Sequence, residues 1–467
     1  MDWARSDPRM GDKNLRTFRY HPAPCRVVKR KQTGANEGPV SLAVTVGASE
    51  GDWKSAFDKK IFGDIDASHE GLLILATRAA EKPITNSHET TILSKLPFSR
   101  PSWLQIMEKF HIHDSVARLI NRNTAAEFSR SQMSPSNLEG LAIVYNCRSS
   151  ASWPGDIALS VTWFPERWKW YAVFYGCDNA TAKNIEHRLN NCEDATCHPL
   201  ILLGMFAELE RRRQISLVDK GSLDFLSAVS SLNSTNHQLD DSEYASPVAS
   251  SAGSHDNSLA IDPWLKLSHL KNGIQNWKDQ LLKMVTHADE LNESYLKSDP
   301  NSTVTVNEFR SQMRRIGGRI KDRLEDIIRD CDEQMRKCQT NLDGIILADQ
   351  MAHTQANMII ASRTKVDSSQ MKSIALLTMI FLPATFVATL FSMTFFNWQP
   401  NSKDGEVVVS PRIWIYAVIA GGLTMITLIT WFLFLRRRLA RKQLRQPSKL
   451  ATLLTTFRLR TQQVEDE

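Results

Sequence analysis

Hydrophobic positions are unevenly spread along the chain. Residues 373–402 and 413–435 carry no charge at all. Each window is long enough to cross a bilayer, and a soluble domain rarely leaves two so close together. Upstream the pattern changes twice. Short strand-like runs lie at Leu42–Val46, Leu72–Ala76 and Leu141–Tyr145, Ile157–Phe164 alternates with period two, and Trp168–Tyr175 is rich in aromatics, so each predicts a strand. Between and after them, patterns of period 3.6 predict helices over Trp103–Phe110, Asp114–Asn121, from Asp178 or Asn179 to about Leu189, and His198–Leu217. Together these elements predict an α+β domain over residues 41–229. Residues 1–40 are polar and basic and are expected to form a disordered arm.

Residues 230–258 hold nine serines in 29 positions and are expected to be a linker or long loop, with plain spacing and phosphorylation both open. A helical period then dominates. Leu270, Ile274, Trp277, Leu281, Met284, Ala288, Leu291 and Tyr295 form one stripe; a second runs from Phe309 through Ile316, Leu324, Cys331 and Cys338 to Ile345. Residues 259–372 are therefore predicted to be a helical coiled-coil stalk. Its second helix, Val306–Lys372, would span roughly 100 Å. Gly317, Gly318 and Gly344 are its expected weak points.

The two uncharged windows predict spans at Ile374–Phe396 and Ile413–Leu435, joined by the outer loop 397–412; the domain limits of the first span are 373–396. Arg363, Lys365 and Lys372 precede the hairpin, and Arg436, Arg437, Arg438, Arg441, Lys442 and Arg445 follow it. The positive-inside rule then places both termini in the cytoplasm of a multi-pass protein, with the plasma membrane favoured over an organelle. The first span carries a stripe: Thr378, Leu382, Thr385, Thr389 and Ser392 fall within about 80° on a helical wheel. Such a stripe fits a wet path lined by hydroxyls, and equally helix packing with hydroxyls bonded to their own backbone. Ala417/Gly421 and Ala420/Thr424 on the second span predict close packing against the first.

The chain has 467 residues, 42% of them hydrophobic and 23% charged, and a net charge of +6. The basic tail 436–467 holds nine Lys/Arg against three Asp/Glu, so the body is nearly neutral and nucleic acid is not an expected partner. All seven cysteines precede the hairpin without a disulfide pattern, which fits a reducing compartment. Cys192, Cys197 and His198 lack a fourth zinc ligand, and buried thiols are the favoured reading. The N-terminus has no apolar run of secretory type. No phosphate loop, nucleophile elbow or zinc helix is present, so no enzyme and no cofactor are expected.

The order of domain, stalk helix, short outer loop and basic C-terminus resembles the CorA-type divalent-cation channel family. Met379-Ile380-Phe381-Leu382-Pro383-Ala384-Thr385-Phe386-Val387-Ala388-Thr389 is similar to the family's proline-containing pore helix. Phe391-Ser392-Met393-Thr394-Phe395-Phe396-Asn397-Trp398 looks like the fungal CorA-like branch, as do Leu96-Pro97-Phe98-Ser99 and Phe110-His111-Ile112-His113. The resemblance implies a funnel-shaped homopentamer whose first spans line a pore for Mg2+ or related ions, gated by the cytoplasmic domain. The family's Gly-Met-Asn signature reads Ser392-Met393-Thr394 here. Thr394 and Asn397 are then the remaining polar groups of the outer-mouth filter.

Asp404 and Glu406 in the outer loop would concentrate divalent metal cations or simply be solvated. Glu325, Asp326, Asp330, Asp332 and Glu333 would hold a sensing cation or form an ion-paired face, the latter favoured. Two functions follow: a passive channel for divalent cations, and a non-conducting membrane adaptor or signalling scaffold of the same architecture.

Overall fold

The computed structural model describes residues 10–31, 40–58, 71–78, 92–121, 125–134, 140–192, 197–240, 256–297, 303–392 and 413–443. It divides into two compact units, Met1–Ala352 and His353–Glu467.

The first unit is built on a mixed seven-stranded sheet. The strands are β2 (Cys25–Lys31), β3 (Val40–Val46), β4 (Gly71–Thr77), β6 (Glu127–Met133), β7 (Ala142–Arg148), β8 (Ala158–Phe164) and β9 (Lys169–Cys177). Their order is β3-β2-β4-β9-β8-β7-β6, with β4 and β9 parallel and every other pair antiparallel. Two further short strands, β1 (Arg19–Tyr20) and β5 (Lys95–Leu96), pair in parallel.

The period-two rule explains why β9 is apolar throughout. Trp170, Ala172 and Phe174 enter one core, while Tyr171, Val173 and Tyr175 enter the other. Both faces of the sheet are therefore covered. Trp163 and Trp170 are 0% and 1% exposed, so the Trp-rich strands are core and not a ligand platform. Gly71 lies opposite Trp170 in register, and a Cβ there would overlap the indole.

One face is covered by α1 (Asp12–Leu15), α2 (Glu50–Asp58), α3 (Arg100–Lys109) and α4 (Ser115–Asn121), through Trp53, Trp103 and Val116 among others. Ser99 caps α3 by accepting the Ser102 N–H at 3.2 Å, with Pro101 in the first turn. On the other face lie α5 (Asn179–Asn190), α6 (Ile201–Asp240), α7 (Asp256–Glu293) and the Val304–Ala352 part of α8 (Val304–Phe391). Asp178 caps α5 by accepting the Thr181 N–H at 2.7 Å, and these bonds hold its carboxyl below the usual range. Trp277 and Leu281 of α7, Leu324, Ile327 and Cys331 of α8, and Phe206 of α6 share the core with β8 and β9. A polar bond also ties α7 to the sheet, His287 Nε2 to the Tyr145 hydroxyl at 3.0 Å.

Three expectations change. Residues 10–31, read as part of an arm, fold into the domain. The charged pattern of β2 concealed this: Arg30 is 1% exposed and donates to the Leu189 carbonyl at 3.1 Å, and Arg26 pairs with Glu186 at 3.1 Å. The serine-rich segment 230–258 is helical at both flanks, α6 reaching Asp240 and α7 starting at Asp256; residues 241–255 lie outside the described residues. The helices read as a separate stalk share one core with the sheet as far as Ile345. α8 runs without interruption through Gly317, Gly318 and Gly344.

The second unit contains the rest of α8 and α9 (Ile413–Gln443). Both helices are long and apolar enough to cross a membrane, and only 11% and 6% of their apolar windows are buried. A soluble core helix would be mostly covered, so lipid or further protein must cover these faces.

Candidate membrane path

Within the second unit α8 and α9 touch at one seam. The Tyr416 hydroxyl donates to the Ala384 carbonyl at 3.3 Å, and the Tyr416 and Phe391 rings meet edge to face at 6.2 Å. Around these contacts Pro383 and Val387 on α8 and Ala420 on α9 are covered, Val387 being 4% and Ala420 8% exposed. Ala417 and Gly421 are exposed and lie off the seam. Of the two small-residue pairs, only Ala420/Thr424 lies on the covered side.

Pro383, Ala384, Val387 and Phe391 define the seam on α8. On a wheel of 100° per residue their centre lies about 180° from that of Thr378, Leu382, Thr385, Thr389 and Ser392. All five stripe residues are exposed, Leu382 at 72%. The stripe thus takes no part in packing between the chain's two membrane helices. Phe386, at 60% exposure, flanks it.

Every described hydroxyl of the stripe is committed as a donor. Thr378 bonds the Ala375 carbonyl at 2.9 Å, Thr385 the Phe381 and Leu382 carbonyls at 3.0 Å, Thr389 the Phe386 carbonyl at 2.8 Å, and Ser392 the Thr389 carbonyl at 2.8 Å. A hydroxyl with its proton so engaged offers only lone pairs outward. The four hydroxyls, with the apolar Leu382 among them, suit the outward-pointing protons of water around a cation. Pro383 adds a local irregularity, since it has no N–H to give the Met379 carbonyl. Met393, Thr394 and Asn397 of the outer mouth, and Asp404 and Glu406 of the outer loop, lie outside the described residues.

The acidic run of α8 is largely engaged in ion pairs. Asp330 pairs with Arg211 of α6, Asp332 with Lys278 of α7 at 2.6 Å, Asp326 with Arg329 and Arg323, and Glu333 with Lys337 at 3.5 Å. The pairs to Arg211 and Lys278 cross between helices, which the linear sequence does not display. Among the described residues no group of three or more His, Cys, Asp or Glu is placed to hold a metal. Cys192, Cys197 and His198 form no such group. Burial raises the Cys192 thiol, and burial with the nearby His287 lowers the His198 imidazole to about 3.

No protein-family model and no curated protein matches this sequence. Among solved structures, the full-length CmaX protein overlaps with a TM-score of 0.39 and 12% identity, over 89% of this chain and 98% of that one. The CorA magnesium transporter from Methanocaldococcus jannaschii overlaps with a TM-score of 0.37 and 9% identity, over 86% and 96%. At these values the superposition is too loose for residues to be equated.

Proposed function

We propose that this chain is a membrane-embedded passive conduit for divalent metal cations, Mg2+ foremost, assembled from several copies around the hydroxyl stripe of α8. The supporting observation is that the stripe faces away from the seam with α9 and that its four hydroxyls, with Leu382 among them, present acceptors outward. Oxygen acceptors at a wall suit a hydrated hard cation, which gives up its water reluctantly. The resemblance of the Met379–Thr389 segment to the CorA-type pore helix favours five copies. In that assembly Ser392, Met393, Thr394 and Asn397 form the outer mouth, and Asp404 and Glu406 lie in the loop before it. The cytoplasmic α+β domain and the α8 stalk would gate the path. Both termini are assigned to the cytoplasm of the plasma membrane. A cysteine introduced at Ser402 should react with an impermeant thiol reagent in intact cells, and one at Ser448 should not.

A second reading is a non-conducting scaffold. Thr394 in place of the signature Asn favours it. The two readings separate on purified full-length protein in liposomes. Transport requires uptake of Mg2+, Co2+, Ni2+ or Zn2+ that responds to an imposed membrane potential; a correctly assembled protein without uptake supports the scaffold.

A further inference from the structure

In the first unit, α5, α6 and α8 enclose a groove of about 750 Å3 that has no part in the membrane path. Arg188 of α5, Arg212 of α6, and Arg319 and Arg323 of α8 line it, against a single carboxylate, Glu208. Glu208 is already engaged, pairing with Arg323 at 2.5 Å. Among the described residues the Arg188 side chain bonds the neutral Asn184 amide, at 2.8 Å. Arg212 and Arg319 are exposed and have no ion pair or hydrogen bond among the described residues. Three guanidinium groups from three different helices thus line one groove without an ion pair among the described residues. Positive charge gathered in a groove attracts anions.

We propose that this groove binds a soluble organic diphosphate of nucleotide size, such as a nucleoside diphosphate. The guanidinium fork matches phosphate oxygens two at a time. The groove is far larger than an inorganic phosphate and within the range of small-molecule sites. Its floor is apolar, with the partly exposed Ile201 and Ile320 set over buried Met205, Ile316 and Leu324, which suits the flat body of a base. Asn191, whose amide nitrogen bonds His187 Nε2 at 3.2 Å, adds an amide oxygen able to bond a base edge. This inference is independent of transport, since it concerns binding to the first unit alone.

The test is equilibrium binding of labelled ADP to the purified full-length protein in detergent, with divalent metal chelated. Wild-type protein should bind ADP saturably. Arg212→Gln/Arg319→Gln should weaken binding by about tenfold or more, the loss expected for charged hydrogen bonds. Both side chains are exposed and unpaired, so the melting temperature should not change. Gly204→Asp is the second variant. It keeps every arginine and brings a carboxylate into the groove, and its Cβ meets only Ile320 Cγ2, at 3.7 Å. It should also weaken ADP. Lys337→Gln, whose partner Glu333 lies outside the groove, should bind as wild type.

Absence of saturable ADP binding would overturn the proposal, as would equal affinity in both groove variants. Pyrophosphate binding as tightly as ADP would reduce the site to a general anion patch and overturn the assignment of an organic body. Displacement of ADP by a soluble inositol bisphosphate, at lower concentration than ADP itself, would assign the same phosphate chemistry to a lipid headgroup and overturn the nucleotide.

Discussion

Gly317 and Gly318 are adjacent in α8, yet their environments predict opposite effects of the same substitution. A Cβ on Gly317 would lie 2.9 Å from His198 Nε2 and 3.3 Å from Asn292 Oδ1. Ordinary contact distance is about 3.5 Å, so the first overlap is about 0.6 Å. His198 has little room to yield: it is 1% exposed, and its Nδ1 accepts the Leu200 N–H at 3.2 Å. Overpacking of this kind costs about 1–3 kcal/mol, offset by up to about 1 kcal/mol of helix propensity gained over glycine. Gly317→Ala should therefore be neutral to destabilising by about 2 kcal/mol. A Cβ on Gly318 meets nothing within 4 Å. Gly318→Ala should stabilise by about 0.5–1 kcal/mol. Urea or thermal unfolding of the full-length protein in detergent, followed by tryptophan fluorescence, reads the difference. The two midpoints should move apart, at about 2–4 °C per kcal/mol for a unit of a few hundred residues. Equal stabilisation by both substitutions would refute the packing of α8 against His198 and Asn292.

Other perturbations test the first unit. The folded-state pKa of His198 is lowered to about 3 by burial and by His287, whereas an unfolded histidine titrates near 6.5. The unfolded chain therefore binds more protons in this window. The contribution is fully present above about pH 6.5 and is lost as pH falls toward 3. His198→Asn keeps an acceptor for the Leu200 N–H, and should flatten this part of the pH–stability profile. Arg213 donates to the Ser150, Trp153 and Pro154 carbonyls at 2.7–2.9 Å and pairs with the 3% exposed Glu210. Arg213→Ala should cost about 3–5 kcal/mol, because it leaves a buried carboxylate without its cation. Arg213→Ala/Glu210→Gln should recover part of that loss in the same denaturation assay.

The sequence was most informative where one physical signal dominated. The membrane helices stand out because two uncharged windows have no other use in a folded chain. The α5 cap was readable because Asp178 precedes a helical period. β8 and β9 were readable because aromatic and β-branched residues crowd them. β2 escaped notice because Arg26 and Arg30 make it look like a solvated arm; their partners, Glu186 and the Leu189 carbonyl, are about 160 residues away in sequence. β6 was missed for a related reason. It is an edge strand in which Phe128 and Met133 enter opposite cores and every residue between them, Ser129 to Gln132, is polar. Helical period displayed the Thr378–Ser392 stripe but not its orientation. Only the seam through Ala384 and Tyr416 shows which side α9 occupies. The groove arginines carried no local signal, since Arg188, Arg212 and Arg319 come from three separate helices.

The proposed conduit requires that the stripe of α8 line a cation path. Its most direct test is uptake of Mg2+ or Co2+ into liposomes by Thr385→Leu and Val387→Leu, each corrected for the amount of correctly assembled protein. Thr385 is exposed on the stripe, while Val387 is 4% exposed at the seam with α9. Thr385→Leu removes an acceptor and adds apolar bulk once per copy around the path. It should abolish uptake and leave assembly intact. Val387→Leu overfills a packed contact, so it should lower the yield of assembled protein and leave uptake per assembly near wild type. Normal uptake by correctly assembled Thr385→Leu protein would contradict the account.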